Sequence, residues 1–168
     1  QAAVEVESRL IVGQRVTDAP NDKKELLPTV QAVKTEVVGE VAAVLVDSGF
    51  YSEAAVKGVE ANGSVTVFAA VERKSHHRTV EDLEKRSDPP PPGSEAGVME
   101  MMKWRVASTA GKALYKLRQQ TVEPVFGIIK EAMGFRRFLL RGLEKVSLEW
   151  TLVCTAYNLK RLHRLAAR

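Results

Sequence analysis

The sequence predicts an α/β fold in which a mixed sheet is flanked by helices and followed by a helical C-terminal part. Short apolar runs bounded by turn residues, which are typical of strands, alternate with helical patterns up to residue 71. From about Ala113 onward only helical spacing is present. The 168 residues are 45% hydrophobic and 27% charged. This ordinary globular composition excludes a collagen-like, a wholly disordered or a disulfide-scaffold protein.

The first strands are predicted to form a hairpin that is followed by a helix. The alternating residues 2–6 and the apolar run 10–12 surround a tight turn. Residues 18–22 have turn chemistry, and the last two of them can cap a helix. Apolar residues from Leu26 to Val37 then repeat at helical spacing, and Gly39 is expected to end this helix.

Two further strands complete the predicted sheet. Residues 41–46 form a continuous apolar run that ends at Asp47, which predicts a strand buried on both faces. Ser52 is expected to cap a short helix that ends at the Asn62-Gly63 turn, and a last strand covers residues 65–71. A hairpin followed by strands connected through helices resembles an RNase-H-like sheet with its first strand missing.

The rest of the chain divides into two parts. Residues 73–112 are polar and contain the run Asp88-Pro-Pro-Pro-Pro-Gly93, which predicts a flexible Pro-rich insertion. They also contain His76-His77, but no partner lies at metal-ligand spacing and a zinc site is not favoured. Residues 113–168 are predicted to be helical and basic. The longest aliphatic run of the chain, residues 41–46, is far shorter than the ~20 residues of a membrane helix.

The C-terminal charge favours a polyanionic partner. Residues 101–168 hold 14 Lys and Arg against 4 Asp and Glu, a net charge of +10. Nucleic acid is the first expectation and an anionic membrane the second, while a merely solvated helical surface is the alternative. Within this part, Arg136, Arg137 and Arg141 can neutralise phosphates. Cys154 is the single cysteine, so the chain forms no internal disulfide, and its position on an apolar helix face predicts a core residue.

Two carboxylates are candidates for chemistry. Asp47 follows a strand, which is where sites of open α/β sheets lie, although an Asp there also serves as a turn former. Glu123 precedes Pro124, which suits the first turn of a helix capped by Thr121 or a neighbour. Helical spacing would place Glu123, Gly127 and Lys130 on one face. The alternative is an early-turn Glu that the helix dipole favours, with a solvated Lys nearby.

Several segments match the pattern of a known family. The run Val44-Leu-Val-Asp-Ser-Gly-Phe-Tyr-Ser-Glu53 resembles the second-aspartate motif of bacterial insertion-sequence DDE transposases. The run Tyr115-Lys-Leu-Arg-Gln-Gln-Thr-Val-Glu-Pro-Val-Phe-Gly-Ile-Ile-Lys130 is similar to the family's glutamate segment. Residues 134–138 and 155–161 resemble the segments that follow it, and residues 1–22 the strand pair after the first catalytic strand.

The resemblance implies an RNase-H-like domain in which two Asp and one Glu hold two Mg²⁺ or Mn²⁺ ions. Such a domain cleaves transposon ends and transfers them to target DNA. Asp47 would be the second acidic ligand and Glu123 the third, while Tyr115, Arg118 and Lys130 would match a signature that contacts DNA near the cut. The resemblance also implies a bacterial cytoplasmic protein, associated with the nucleoid, that has no membrane partner and can form a homo-oligomer.

Two departures from the family pattern matter. Four residues instead of three separate Arg118 from Glu123. If Arg118 precedes the helix, the turn can absorb the extra residue, whereas within the helix this spacing should turn Arg118 away from Glu123. The family's first Asp would lie before Gln1. We therefore expect residues 1–168 to be an incomplete catalytic domain that is inactive alone and whose exposed apolar sheet edge favours marginal stability or self-association. A non-catalytic basic nucleic-acid-binding remnant is the alternative, and a structural α/β domain without DNA binding is the third.

Overall fold

The computed structural model describes residues 1–33, 39–71, 87–93 and 95–167, and these residues form a mixed α/β structure. The strands are β1 (Ala2–Val4), β2 (Ile11–Gln14), β3 (Ala43–Val46) and β4 (Thr66–Ala69). The helices are α1 (Leu26–Gln31), α2 (Glu53–Glu60), α3 (Val98–Ala107), α4 (Thr109–Gly127) and α5 (Leu143–Ala166). Short 3-10 turns at Asp22–Lys24 and Ser48–Phe50 precede α1 and α2, and a π-helical turn at Ile128–Ala132 continues α4. The α/β class and the helical C-terminal part are thus confirmed.

The described strands form two separate two-stranded sheets, so the predicted single mixed sheet is not present among the described residues. Strands β1 and β2 are antiparallel, with Ala3 opposite Gly13, and β3 and β4 are parallel, with Val44 opposite Val67. A cavity of about 390 Å³ lies between them and is lined by residues 1–6 on one side and residues 40–47 on the other. The sheets stay apart because none of the described strands occupies this gap.

The β3 strand is only partly buried, which corrects the prediction of a strand covered on both faces. Ala43 is exposed and the other three residues of β3 are of intermediate exposure. In β4, by contrast, Val67 and Ala69 are fully buried. The physical reason is that β3 has a strand neighbour on one side only, while its other edge borders the cavity. Asp47 therefore closes an accessible edge strand.

Two hydrophobic clusters hold the described elements together. The first packs α1, α2 and α3 around β4, and its buried members are Leu26, Val56, Val59, Val67, Ala69, Met102 and Val106. The second packs α5 against the hairpin and the end of α4, and its buried members are Ile11, Val125, Ile129, Trp150, Cys154 and Tyr157. Cys154 is a free core cysteine, as predicted. The predicted cap of α2 is also confirmed, since Ser52 Oγ accepts a 3.2 Å hydrogen bond from the amide of Ala55.

The helical part begins at Val98, earlier than the predicted boundary at residue 113, so the range 73–112 is not uniformly irregular. The described end of the Pro-rich segment is tied to these helices. The Asp88 carboxylate accepts hydrogen bonds from the hydroxyl and the amide of Thr109, at 2.6 and 2.7 Å, and these bonds hold the pKa of Asp88 below its usual range. Trp104 Nε1 donates to the carbonyl of Pro89 at 3.0 Å. Both His76-His77 and residues 34–38 lie outside the described residues.

The corner between α3 and α4 requires a glycine. A Cβ atom at Gly111 would lie 1.7 Å from the backbone carbonyl oxygen of Arg105, whereas one at Gly127 would meet nothing within 4 Å. We expect Gly111→Ala to lower the free energy of unfolding by about 2 kcal/mol, because the backbone at Arg105 would have to move to make room for the methyl group. Gly127→Ala, a matched helical control, should raise it by about 0.5–1 kcal/mol. Urea denaturation measures both, and equal effects of the two substitutions would contradict this packing.

Candidate active site

Asp47 lies at the carboxyl end of β3, where the strand turns into a 3-10 turn. Its side chain is exposed, and Oδ1 accepts a 2.7 Å hydrogen bond from the amide of Ser48. The turn-forming role considered for this residue is therefore present. Only Oδ1 takes part in a hydrogen bond with the described residues, which leaves Oδ2 at the surface for a ligand. The two roles are compatible because they use different oxygen atoms.

Helix α4 runs alongside β3 and brings two further candidates to the same edge. The Tyr115 hydroxyl donates a 3.1 Å hydrogen bond to the carbonyl of Val46, the residue before Asp47. The guanidinium of Arg118 lies 5.8 Å from the centroid of the Tyr115 ring, within cation–π range. Arg118 and Asp47 both line the cavity between the two sheets. The structure thus brings Tyr115, Arg118 and the end of β3 together.

Arg118 pairs with Glu123, so the prediction that a helical Arg118 would face away from this carboxylate is wrong. Both residues lie in α4, and the distance from Arg118 Nη2 to Glu123 Oε1 is 3.9 Å. The two positions are five residues apart in the helix and therefore point in different directions, but the Arg side chain is long enough to reach across. The Glu123 side chain remains 62% exposed, whereas that of Arg118 is only 19% exposed. Arg118 Nε is buried and has no hydrogen-bond partner in the described structure.

Pro124 lies inside α4, which corrects the prediction that it begins a helix. Ser108 caps α4, because its Oγ accepts a hydrogen bond from the helix's third residue at 3.1 Å. Thr121 is not a cap, since its hydroxyl donates to the carbonyl of Leu117 within the helix at 2.9 Å. A proline in a helix removes one backbone donor. Tertiary packing overrides this loss here, since the next residue, Val125, is completely buried in the second cluster.

Comparison with family models shows which protein family this part of the chain resembles. Residues 94–163, about two fifths of the chain, match the model described as Transposase DDE domain. This segment is similar to the transposase DDE family. The match covers α3, α4 and most of α5, and it includes Tyr115, Arg118 and Glu123, while Asp47 lies outside it. Comparisons with curated proteins and with solved structures found no match.

Similarity to the transposase DDE family points to DNA as a partner and to a divalent metal in the family's active site. Exposed carboxylates such as Asp47 and Glu123 suit hard cations such as Mg²⁺. Within the part of the chain that the structure describes, however, no group of three or more His, Cys, Asp or Glu side chains could hold a metal. The described residues therefore supply suitable ligands but not a complete site. None of the described helices combines the length and apolar character that crossing a bilayer requires.

The transposase DDE segment also borders a second cavity, of about 410 Å³, whose rim is basic. Lys130, Arg136 and Arg137 line it together with aromatic side chains. The rings of Phe126 and Trp150 stack with centroids 6.0 Å apart. Glu123 does not line this cavity, although Lys130 does. The exposed cations of this rim are groups that bind phosphates, whereas Trp150 beneath them is buried in the second hydrophobic cluster.

The three predicted arginines differ in their surroundings. Arg136 forms an ion pair with Glu131, and both side chains are about two-thirds exposed. For Arg137 and Arg141, the described residues provide no ion-pair partner, and both side chains are exposed. Arg137 and Arg141 therefore keep their full charge for an external anion, whereas the charge of Arg136 is partly offset.

The end of the transposase DDE segment has a structural task that the sequence did not reveal. Three side chains of α5 bind the backbone of the β1–β2 hairpin. The Tyr157 hydroxyl donates to the Arg9 carbonyl at 3.0 Å, and Asn158 accepts from the Ile11 amide at 2.9 Å while donating to its carbonyl at 2.8 Å. Arg161 Nε donates to the Ser8 carbonyl at 2.6 Å. Arg161 therefore anchors the hairpin.

Asp22 is a carboxylate near the site that the sequence pattern indicated only as a possible helix cap. A Cβ atom at Gly49, in the turn after Asp47, would lie 3.9 Å from Asp22 Oδ2. The side-chain amide of Gln1 donates to Asp22 Oδ1 at 2.7 Å, and Asp22 also lines the basic cavity with Lys130. No local pattern indicates this position, because it depends on the packing of two 3-10 turns that are distant in sequence.

Proposed function

We propose that this chain is the C-terminal part of a DDE transposase of a bacterial insertion sequence. Its substrates are the transposon ends and target DNA, and it acts in the cytoplasm in association with the nucleoid. The observation that carries the proposal is the position of Arg118, which lines one cavity with Asp47 and pairs with Glu123. One partly buried cation thereby lies between the cavity at Asp47 and the carboxylate of Glu123, the two acids that the family resemblance assigns to catalysis.

In this proposal Asp47 and Glu123 are the second and third acidic ligands of a pair of Mg²⁺ or Mn²⁺ ions. Such ions, when bound, stabilise both the attacking and the leaving oxygen of a phosphodiester. The chain's own residues position the DNA. Tyr115, which is held by its bond to the end of β3, and Arg118 present a ring and a guanidinium beside the carboxylates. Lys130 contacts the DNA from the basic cavity.

The RNase-H-like arrangement is part of the same proposal. Its support is the gap between the sheets, where the antiparallel pair β1–β2 and the parallel pair β3–β4 face each other across an apolar cavity. A further strand in this gap would pair with β1 and join the two sheets into the predicted mixed sheet. In the proposed arrangement, a third carboxylate is required besides Asp47 and Glu123. We accordingly propose that residues 1–168 alone are catalytically inactive.

The proposed basic surface predicts how this chain binds DNA. We expect binding to a double-stranded insertion-sequence end with an affinity that falls steeply with salt. Arg137→Glu should weaken it and reduce the slope of log K against log salt by about one unit, because one phosphate contact is lost. Lys57→Glu is the matched control, since Lys57 is an exposed cation on α2 and lies outside the basic cavity. Fluorescence anisotropy over a salt series measures both variants.

Three outcomes test the proposed function. An affinity that Arg137→Glu and Lys57→Glu reduce equally would remove Arg137 from the contact surface. The absence of DNA binding at low salt would leave only a structural α/β domain. Metal-dependent strand cleavage by this chain, abolished by Asp47→Ala, would overturn the proposed inactivity.

A non-catalytic nucleic-acid-binding remnant is the second candidate function. The specific observation in its favour is that the basic cavity, with Lys130, Arg136 and Arg137, does not include Asp47 or Glu123. DNA binding through this cavity needs neither carboxylate. DNA affinity that is indifferent to divalent metal and to both carboxylates would select this second candidate.

A further inference from the structure

Helix α5 carries a second apolar stripe on the side opposite its buried residues. The buried side of the helix consists of Trp150, Cys154 and Tyr157. On the outer side, four leucines are between 48% and 71% exposed, and these are Leu148, Leu152, Leu159 and Leu162. Exposing four large apolar side chains along one helix is unfavourable in water, and contiguous patches of this kind mark interaction surfaces.

The outer stripe has the spacing of a coiled-coil seam. The separations between its members are four, three, four, three and four residues, and the members are Leu148, Leu152, Thr155, Leu159, Leu162 and Ala166, all of them exposed. This alternation repeats every seven residues and keeps a seam facing a second helix. The stripe is also nearly symmetric about Thr155. A copy that runs antiparallel would place Leu148 opposite its Leu162 and Leu152 opposite its Leu159.

The charges of α5 select the antiparallel orientation. Its first half, residues 143–154, holds Glu144, Lys145 and Glu149, a net charge of −1. Its second half, residues 155–166, holds three cations and a histidine, a net charge of +3 with the histidine neutral, and these are Lys160, Arg161, Arg164 and His163. Arg161 is bonded to the hairpin of its own chain and does not face the stripe. A parallel pair would place Lys160 beside Lys160 of the second copy, whereas an antiparallel pair places it near Glu149 of the second copy.

We propose that two copies of this chain pair through the outer stripe of α5, in antiparallel orientation, with the twofold axis at Thr155. The buried side of α5 stays on the hairpin of its own chain, because Trp150 and Tyr157 are bonded to that backbone. The pairing surface therefore needs no rearrangement of the fold. It lies apart from Asp47 and Glu123 and does not depend on the proposed function.

Cysteine cross-linking of the full chain tests both the pairing and its direction. Thr155→Cys should form an intermolecular disulfide under mild oxidation, because antiparallel pairing brings the two copies of position 155 together. Leu148→Cys alone should not, since its opposite residue is Leu162, while the double variant Leu148→Cys/Leu162→Cys should. These two positions are about 21 Å apart on one helix, so a disulfide within a single chain is excluded. Burial raises the pKa of Cys154 to about 12, and this thiol is therefore unreactive at neutral pH.

Sedimentation equilibrium of the same chain gives the strength of pairing. Leu152→Glu/Leu159→Glu should raise the dimer dissociation constant by at least about 100-fold, since two buried leucines are lost from each copy. Ala54→Glu is the control, because it places the same new side chain on an exposed position of α2, outside α5. A monomeric parent chain at 100 µM or so, cross-linking of Leu148→Cys alone, or equal effects of the glutamate variants and the control would each overturn the proposal.

Discussion

Asp47→Asn and Glu123→Gln should each weaken Mn²⁺ binding to this chain by at least about 100-fold while leaving the fold intact. Even residues that only orient metal ligands change affinity by 10–100-fold, so the loss of a direct ligand should reach the upper end of that range. Asp47→Asn is chosen because its amide oxygen can still accept the 2.7 Å bond from Ser48, which preserves the turn after β3. Glu123→Gln likewise keeps a polar partner for Arg118.

Isothermal titration with Mn²⁺ measures this prediction, and circular dichroism verifies that each variant is folded. Glu144→Gln is a suitable control, since Glu144 is an exposed carboxylate in the first turn of α5 and lies outside both cavities. If both carboxylate variants bind Mn²⁺ as the parent chain does, Asp47 and Glu123 do not share a metal. If only one variant loses binding, the other residue has been assigned wrongly.

The largest effect on stability is expected from Trp150→Ala, at about 3–5 kcal/mol in the free energy of unfolding. Trp150 is 5% exposed, and its ring lies 6.0–6.2 Å from those of Phe126, Phe135 and Phe138. Its Nε1 also donates a 3.1 Å hydrogen bond to the carbonyl of Gln1. The substitution removes the centre of an aromatic cluster that joins α5, the end of α4 and the hairpin. Since small domains are stable by 5–15 kcal/mol, such a loss is a large share of the total.

Urea denaturation at low protein concentration, where self-association does not contribute, measures this effect. Trp150→Phe serves as the comparison, because it keeps an aromatic ring and loses mainly the bond to Gln1, which should cost about 1 kcal/mol. A loss below about 1 kcal/mol for Trp150→Ala would mean that the second hydrophobic cluster collapses around the vacated space or contributes little to folding.

Local features of the fold were predicted well because short-range chemistry determines them. The alternation in residues 2–6 and 10–12 correctly predicted the antiparallel hairpin, in which Ala3 lies opposite Gly13. Ser52 and its hydroxyl were correctly placed at the start of α2. Such features depend on residues within a few positions of one another, so they can be read from the chain itself.

The site was predicted less completely because its parts come from distant segments. The spacing of Arg118 and Glu123 indicated side chains that diverge, yet the two form an ion pair within α4. Proline statistics placed Pro124 at a helix start, whereas burial of Val125 carries the helix through it. The approach of Asp22 to the turn at Gly49 arises from tertiary packing alone. Helix propensity is a weak guide wherever the burial of neighbouring side chains outweighs it, and for a proline inside a helix the propensity cost is about 3 kcal/mol.

By itself, the sequence determined the α/β class, the hairpin, the transposase motifs and the apolar periodicity of the last helix. Only the tertiary structure decided that the described strands form two sheets separated by a gap, and that α5 buries Trp150, Cys154 and Tyr157 while exposing Leu152 and Leu159. The physical reason is that periodicity defines the faces of a helix without defining what covers them. Which face becomes core depends on contacts such as that of Asn158 with Ile11, between residues 147 positions apart.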